Sequence, residues 1–406
     1  MNKLLHYTVC FFRIIKKNTL HILKKIKVNK QRKADIKKCK RLSKRCIVDN
    51  EGKNVIPLDT WLKDEGRLCE KTGFLYETSM DLTIIIPMYN VERYIVDSIQ
   101  SVLQQKTKYT YEVLLVDDGS TDGTLEKIAP FLSNERVILL KQENQGQSVA
   151  RNCAIQCAKG RYVMMLDGDD VLVDGSLDVL MDTAEQTQSD IVEGGIARFQ
   201  EKLNKKELLK GRKVRVVLPQ KNPAFILTCY GYSVAKVYRR ELWKTLRYPE
   251  GYIFEDVISK FILRRKAKRV AFIDYTVYGY RWNPDSSSHN KNHIKKLDSF
   301  LVLPKVIDLC KAESAPFDDS FYLLCLNHIG LLNYITTKPL EEDQQRSCFE
   351  EMYRQLIAIR EYRPKKMPVL FVLLERAILR KDFEGWKFTA ETIHKYGLLK
   401  KYREIN

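Results

Sequence analysis

Between Leu82 and Asp170 short, largely apolar runs alternate with longer stretches in which apolar residues recur every three or four positions. The runs are Leu82 to Pro87 (LTIIIP), Val113 to Val116, Val137 to Leu140 and Arg161 to Leu166 (RYVMML), each with the length of a strand buried on both faces. Between them, Val91, Tyr94, Ile95, Ile99, Val102 and Leu103 predict a helix beginning near Asn90. Leu125, Ile128, Ala129 and Leu132 predict a second helix, and Ser148 to Ala158 a third. Alternating units of this kind predict a mainly parallel sheet with right-handed crossovers, an open nucleotide-binding α/β architecture.

Beyond about residue 290 the strand signal fades, and Phe321, Leu324, Cys325, His328, Leu331 and Leu332 recur at helical spacing. This tail reads as a helical bundle. Pro368 to Leu379 (PVLFVLLERAIL) is too short to span a bilayer and reads as core in preference to a second membrane contact. Residues 51 to 80 carry few signals and read as a connector. The expected organisation is an arm and connector over 1–80, an α/β domain over 81–290 and a helical region over 291–406.

Composition changes this picture at the N-terminus. The chain has 406 residues, 44% of them hydrophobic, enough for a substantial core, so a disordered or fibrous protein is excluded. Its net charge is +19, yet residues 1 to 50 hold sixteen Lys and Arg against two acids, Asp35 and Asp49, leaving the other 356 residues nearly balanced. A basic arm on a neutral body argues against a nucleic-acid partner and for an acidic surface. In that arm Leu4, Leu5, Phe11, Phe12, Ile14, Ile15, Leu20, Ile22, Leu23 and Ile26 lie among the cations. This is the make-up of an amphipathic helix on an anionic membrane, where each cation contributes ~1 kcal/mol; the alternative is a charged helix packed on the fold.

The ten cysteines form no CxxC pair or metal-finger spacing, and Cys153 and Cys157 fall one helical turn apart. Free thiols in a reducing compartment are expected. No uncharged apolar stretch reaches the roughly eighteen residues of a membrane span. Arg13, Lys16 and Lys17 interrupt the first apolar run, and no small-residue cleavage site follows, so it is a poor signal peptide. The expected location is cytoplasmic, peripheral to the inner face of the cell membrane.

Candidate chemistry gathers where strands end. Asp167, Gly168, Asp169 and Asp170 follow the fourth strand, and such crowded carboxylates repel one another unless a cation sits among them. Mg2+ or Mn2+ suits them, because these hard ions take one or two carboxylates and leave room for a nucleotide's phosphates. The alternative is an acidic turn before a helix capped by Asp174. Asp117 and Asp118 follow the second strand and precede Gly119, Ser120 and Thr121, where they can accept hydrogen bonds from a base and a ribose. Ser120 or Asp122 would cap a helix unaided, so two adjacent acids exceed what capping requires.

With IIIPMYN (Ile84 to Asn90), VDDGSTDGT (Val116 to Thr124), ENQGQSVARN (Glu143 to Asn152), GRYVMMLDGDD (Gly160 to Asp170) and FED (Phe254 to Asp256), the chain resembles a family 2 glycosyltransferase of the GT-A fold, of the bacterial surface-polysaccharide type. The resemblance covers roughly residues 81 to 290 and leaves the arm and the tail unexplained. It implies that Pro87, Tyr89 and Asn90 contact the nucleoside and that Asp117 and Asp118 meet base and ribose. It further implies that Arg151 and Lys236 help hold the nucleotide-sugar. Asp167 and Asp169 match the DxD motif that binds ribose and metal diphosphate, with Asp170 adjoining; Gly168 stands where the family commonly has Ser or Ala. Asp256, in the Glu255–Asp256 pair, matches the catalytic base.

The implied reaction is transfer with inversion from a nucleotide-sugar, with UDP the preferred nucleotide, to a saccharide or lipid-linked acceptor, using Mn2+ or Mg2+. Two other function classes remain open: a metal-dependent nucleotidyltransferase, which would release pyrophosphate, and a non-enzymatic basic adaptor for membrane or RNA. His289 reads as a surface histidine that could reach the diphosphate. Tyr278, Tyr280 and Trp282, at period two, mark one face of an edge strand or a sugar-stacking surface.

Overall fold

A computed structural model describes residues 78–204, 208–283 and 295–396. The basic arm, most of the connector and His289 lie outside the described residues. The chain divides into two compact units, the first described over 78–325 with 361–363 and the second over 326–360 with 364–396.

The first unit is built on a nine-stranded sheet. Its strands are β1 (Met80–Met88), β2 (Tyr111–Asp117), β3 (Val137–Lys141), β4 (Gly160–Met165), β5 (Val171–Leu172), β6 (Ile191–Phe199), β7 (Lys210–Val217), β8 (Lys236–Arg239) and β9 (Val270–Arg281). They are ordered β3-β2-β1-β4-β8-β6-β9-β5, with β7 also on β9. β1 pairs in parallel with β2 and β4, and β2 with β3, which brings the carboxyl ends of these four to one edge. Leu82, Ile84, Ile85 and Ile86 are wholly buried, as is the corresponding run in β2, because helices cover both faces. The other half is mixed: β8 runs antiparallel to β4 and β6, while β6 and β9 are parallel.

The crossover helices are α1 (Ile95–Leu103), α2 (Thr124–Ile128) and α3 (Gln147–Cys157), followed by α4 (Ser176–Thr187). α1 buries Ile95, Ile99 and Val102, but it starts five residues later than its periodicity suggests. Asn90 takes a left-handed conformation (φ 52), and Glu92 to Tyr94 form a turn that leads into the helix. α2 ends at Ile128, and Pro130 sits within the 3-10 turn that follows, Ala129–Phe131. Two helices past residue 290, α5 (Asp298–Ala312) and most of α6 (Asp319–Asn327), cluster with the sheet, so the helical region does not begin a separate unit at 291.

The second unit holds α7 (Glu342–Ala358), α8 (Val369–Leu379) and α9 (Phe383–Lys395). α8 is the Pro368 to Leu379 segment, and it buries Phe371, Leu373, Leu374, Ala377 and Ile378, as expected of a core helix. A π-helical turn, His328–Leu332, shifts the helical phase, so Leu331 is buried while Leu332 turns outward. Among the described residues no helix is long and apolar enough to cross a membrane.

Candidate active site

The loops after β1 and β2 are tied to each other before any ligand is considered. The Asn90 backbone N–H donates to Ser120 Oγ (3.1 Å), and the Thr121 N–H donates to Asn90 Oδ1 (2.8 Å). Asp117 accepts from the Ser120 N–H at 3.2 Å, and both Asp117 and Asp118 are buried. Asp118 receives Gln142 Nε2 (2.7 Å), Gln145 N–H (2.8 Å) and Gly146 N–H (2.8 Å), so it also holds the loop leading into α3. Gly119 makes the turn: its φ is +74, and a Cβ there would stand 2.9 Å from the Asn144 nitrogen. Pro87 is half-buried at the end of β1, and Tyr89 is 48% exposed beside it.

The acidic loop after β4 separates its three carboxylates. Asp170 is buried, with one oxygen accepting the Tyr278 hydroxyl (2.7 Å) and the other the Arg281 N–H (2.7 Å). Tyr278 in turn accepts the Asp167 N–H at 3.2 Å. The expectation that Asp170 joins the metal is corrected accordingly: its carboxylate anchors the loop to β9. Burial first, then repulsion from Asp167 and Asp169, pushes its carboxyl up to about 8.

Asp169 accepts from Asn283 Nδ2 (3.2 Å), and its carbonyl oxygen accepts from Arg281 Nε (2.8 Å). Burial and the neighbouring Asp167 raise its pKa above the usual carboxylate value, the condition a bound cation relieves. Among the described residues no group of three or more His, Cys, Asp and Glu is placed to hold a metal ion. Asp167 and Asp169 remain as two hard oxygen donors, the number Mg2+ or Mn2+ takes when phosphates and water complete the shell.

Arg151, on α3, lies beneath the site and spans it. One guanidinium nitrogen donates to Asp167 Oδ1 at 2.7 Å, and another donates to Glu255 Oε1. Burial disfavours its charge, but Asp167 and Glu255 outweigh that and raise its pKa. Glu255 is buried, and its second oxygen has no hydrogen-bond partner among the described residues. The residues before it are held in place: the Ile253 N–H donates to Asp298 Oδ2 of α5 (2.9 Å), and Phe254 adopts a left-handed φ of 73. That conformation is costly for an aromatic residue and typical of a constrained site.

Asp256 follows, half-buried, with no hydrogen bond to its carboxylate among the described residues. Burial and the adjoining Glu255 push it up to about 7, against the pull of Arg151. Lys236, expected as a nucleotide contact, is instead 1% exposed at the start of β8. Its ammonium donates to the Val234 carbonyl (2.9 Å) and faces Glu193 (3.7 Å), which Arg264 also binds at 2.6 Å. Burial lowers its pKa to about 8, partly offset by Glu193, and its charge acts on Asp256. The correction is from a contact to a source of field.

Thus Pro87 and Asp117 at strand ends, and Tyr89, Asn90, Asp118, Asp167 and Asp169 on the loops that follow, lie at one sheet edge, and Arg151 connects that edge to Glu255. Sequence reasoning missed the anchoring done by Arg281 and Asn283 and placed Tyr278 with Tyr280 and Trp282 on one face of an edge strand or a sugar-stacking surface. Tyr278 is buried, whereas Trp282 is 47% exposed. The period-two pattern located a strand, but β5 pairing with Tyr278 and Gly279 is what brings that strand to the acidic loop.

Known proteins resemble this chain in sequence and fold. The family model described as "Glycosyl transferase family 2" matches residues 83–247. The glycosyltransferase GlyG of Streptococcus pneumoniae is 26% identical over 217 residues, 49% of this chain and 70% of GlyG. The uncharacterized glycosyltransferase EpsJ of Bacillus subtilis is 33% identical over 216 residues, 50% of this chain and 62% of EpsJ. The minor teichoic acid biosynthesis protein GgaB, also of B. subtilis, is 25% identical over 300 residues, 68% of this chain but 32% of GgaB. Among solved structures, S. aureus TarS 1–349 in complex with UDP-GlcNAc shares the fold, with a TM-score of 0.60 and 19% identity over 78% of this chain and 92% of that one. Strand-end motifs, sheet order and family match coincide, and residues 83–247 of this chain are similar to a family 2 glycosyltransferase domain.

Proposed function

We propose that the chain transfers a sugar, with inversion at the anomeric carbon, from a UDP-sugar to a hydroxyl of a saccharide or lipid-linked acceptor. The observation that carries this reading is Asp256: a half-buried carboxylate free of hydrogen bonds, poised at about 7, beside a Glu255 that Arg151 ties to Asp167. A general base works best when its proton affinity lies near the working pH. Asp256 takes the proton of the acceptor hydroxyl as that oxygen bonds to the anomeric carbon and the bond to the diphosphate breaks. Glu255 raises the proton affinity of Asp256 by its charge, and Asp117 and Asp118 orient the nucleoside. Asp167 and Asp169 hold Mn2+ or Mg2+, which when bound supplies positive charge against the departing diphosphate.

The preference for UDP is supported by the fold shared with TarS, whose structures hold UDP and UDP-GlcNAc. A place in surface polysaccharide assembly is supported by relatives named for teichoic and teichuronic acid biosynthesis. The basic arm supports peripheral attachment to the inner face of the membrane, where a lipid-linked acceptor would be met.

Asp256→Asn is expected to abolish transfer while UDP with Mn2+ still protects the protein against thermal unfolding; Asp169→Ala is expected to lose that protection. In the unaltered protein the rate should rise with pH through about 7, since only the ionised Asp256 accepts a proton. Free UDP, not pyrophosphate, is the expected by-product. Full turnover by Asp256→Asn would refute the assignment.

A further inference from the structure

The loop between the 3-10 turn Pro223–Thr228 and β8 carries two tyrosines side by side. Tyr230 and Tyr232 are 58% and 44% exposed, with rings 5.7 Å apart and 7° from parallel. Gly231 between them borders open space: a Cβ there would meet no atom within 4 Å.

This loop is fixed to the site from several sides. Val234 bridges Met165, the last residue of β4 and two before Asp167. The Tyr230 carbonyl accepts from Arg264 Nη1 (2.7 Å). The Ser233 carbonyl accepts the Tyr238 hydroxyl (3.1 Å), which also meets Ser259 Oγ (3.0 Å), three residues past Asp256. Tyr232 is two residues from Val234, so its Cα lies within ~8 Å of Val234, which itself lies roughly one strand spacing of ~5 Å from Met165. The pair therefore stands a few sugar rings from the strand end that delivers Asp167.

We infer that Tyr230 and Tyr232 form a stacking platform for the acceptor saccharide, holding sugar rings beyond the one whose hydroxyl reacts. The inference rests on the glycosyl-transfer reading above and adds a subsite to it. One face of a pyranose presents C–H bonds of partial positive charge, which complement the negative face of a tyrosine ring. A backbone tied down at Tyr230, Ser233 and Val234 presents the rings with little ordering cost. Two rings make a smaller apolar area than the contiguous patches that dock proteins.

The test uses the full chain and saturation-transfer NMR with chitobiose, cellobiose and lactose as probes. It compares the unaltered protein with Y230A/Y232A and Y230F/Y232F, and measures UDP–Mn2+ thermal stabilisation in parallel. At least one disaccharide should receive saturation, retain it in the phenylalanine pair and lose about tenfold in affinity in the alanine pair. UDP–Mn2+ should stabilise all three proteins equally, which also reports that they are folded. If the alanine pair does not fold, Y230A and Y232A are compared singly by the same readouts. Equal disaccharide signals with and without the tyrosines, or none in any protein, would overturn the platform. Failure of UDP–Mn2+ to stabilise the unaltered protein would overturn instead the functional reading beneath it.

Discussion

A guanidinium offers donors in several directions of one plane, and Arg151 uses two of them on acids from distant parts of the chain. Neither acid is close to it in sequence: Asp167 is sixteen residues on and Glu255 one hundred and four. Arg151→Ala would leave Glu255 buried without its counter-charge, and breaking a buried pair in this way costs about 3–5 kcal/mol. Urea denaturation should register that loss. Arg151→Lys should recover part of it, because one ammonium cannot serve both carboxylates. At this scale the residue types were legible: Asp117, Asp118, Asp167, Asp169, Glu255 and Asp256 stand out as acids after strands or in a motif. Which oxygens already have partners was not. Asp170 looks like its neighbours in the sequence, yet Tyr278 and Arg281 engage both its oxygens.

Elements carried the strongest signal, because burial on both faces leaves strands few polar positions. The apolar runs fall within β1 to β4, with ends displaced by a residue or two. The start of α1 was less legible, since Val91 and Tyr94 fit a helical period while Asn90 spends its backbone and side chain on Ser120 and Thr121. The turn after β2 is set by Gly119. Gly119→Ala would force a left-handed alanine, at about 1–2 kcal/mol, and press its Cβ on the Asn144 nitrogen. The expected outcome is a lower unfolding temperature together with weaker stabilisation by UDP–Mn2+, because Asp117 and Asp118 open that turn. Unchanged UDP–Mn2+ stabilisation would mean that the two acids do not orient the nucleoside.

Over the whole molecule, the charge asymmetry separates two tasks. Fourteen of the nineteen surplus positive charges lie in residues 1 to 50, outside the described residues, and the remainder of the chain is nearly neutral. Removing residues 1 to 50 is expected to lower recovery with anionic vesicles, at ~1 kcal/mol for each cation lost, while transfer to a soluble acceptor persists. Equal recovery of both forms would remove the ground for a membrane role. The helices past residue 290 also serve more than one purpose: α5, through Asp298, fixes the backbone just before Phe254 and Glu255, a link no local pattern announces.

By itself the sequence determined which residue types would meet at the ends of β1, β2 and β4, since hydrophobic periodicity defines strands and parallel crossovers align their carboxyl ends. Tertiary structure alone decided the electrostatics of that edge. Proton affinity and hydrogen-bond occupancy depend on which groups arrive from far along the chain, here Arg151 under Asp167 and Glu255, Tyr278 and Arg281 on Asp170, and Lys236 drawn inward to Glu193. Such distances follow from packing, which single-chain periodicity does not encode.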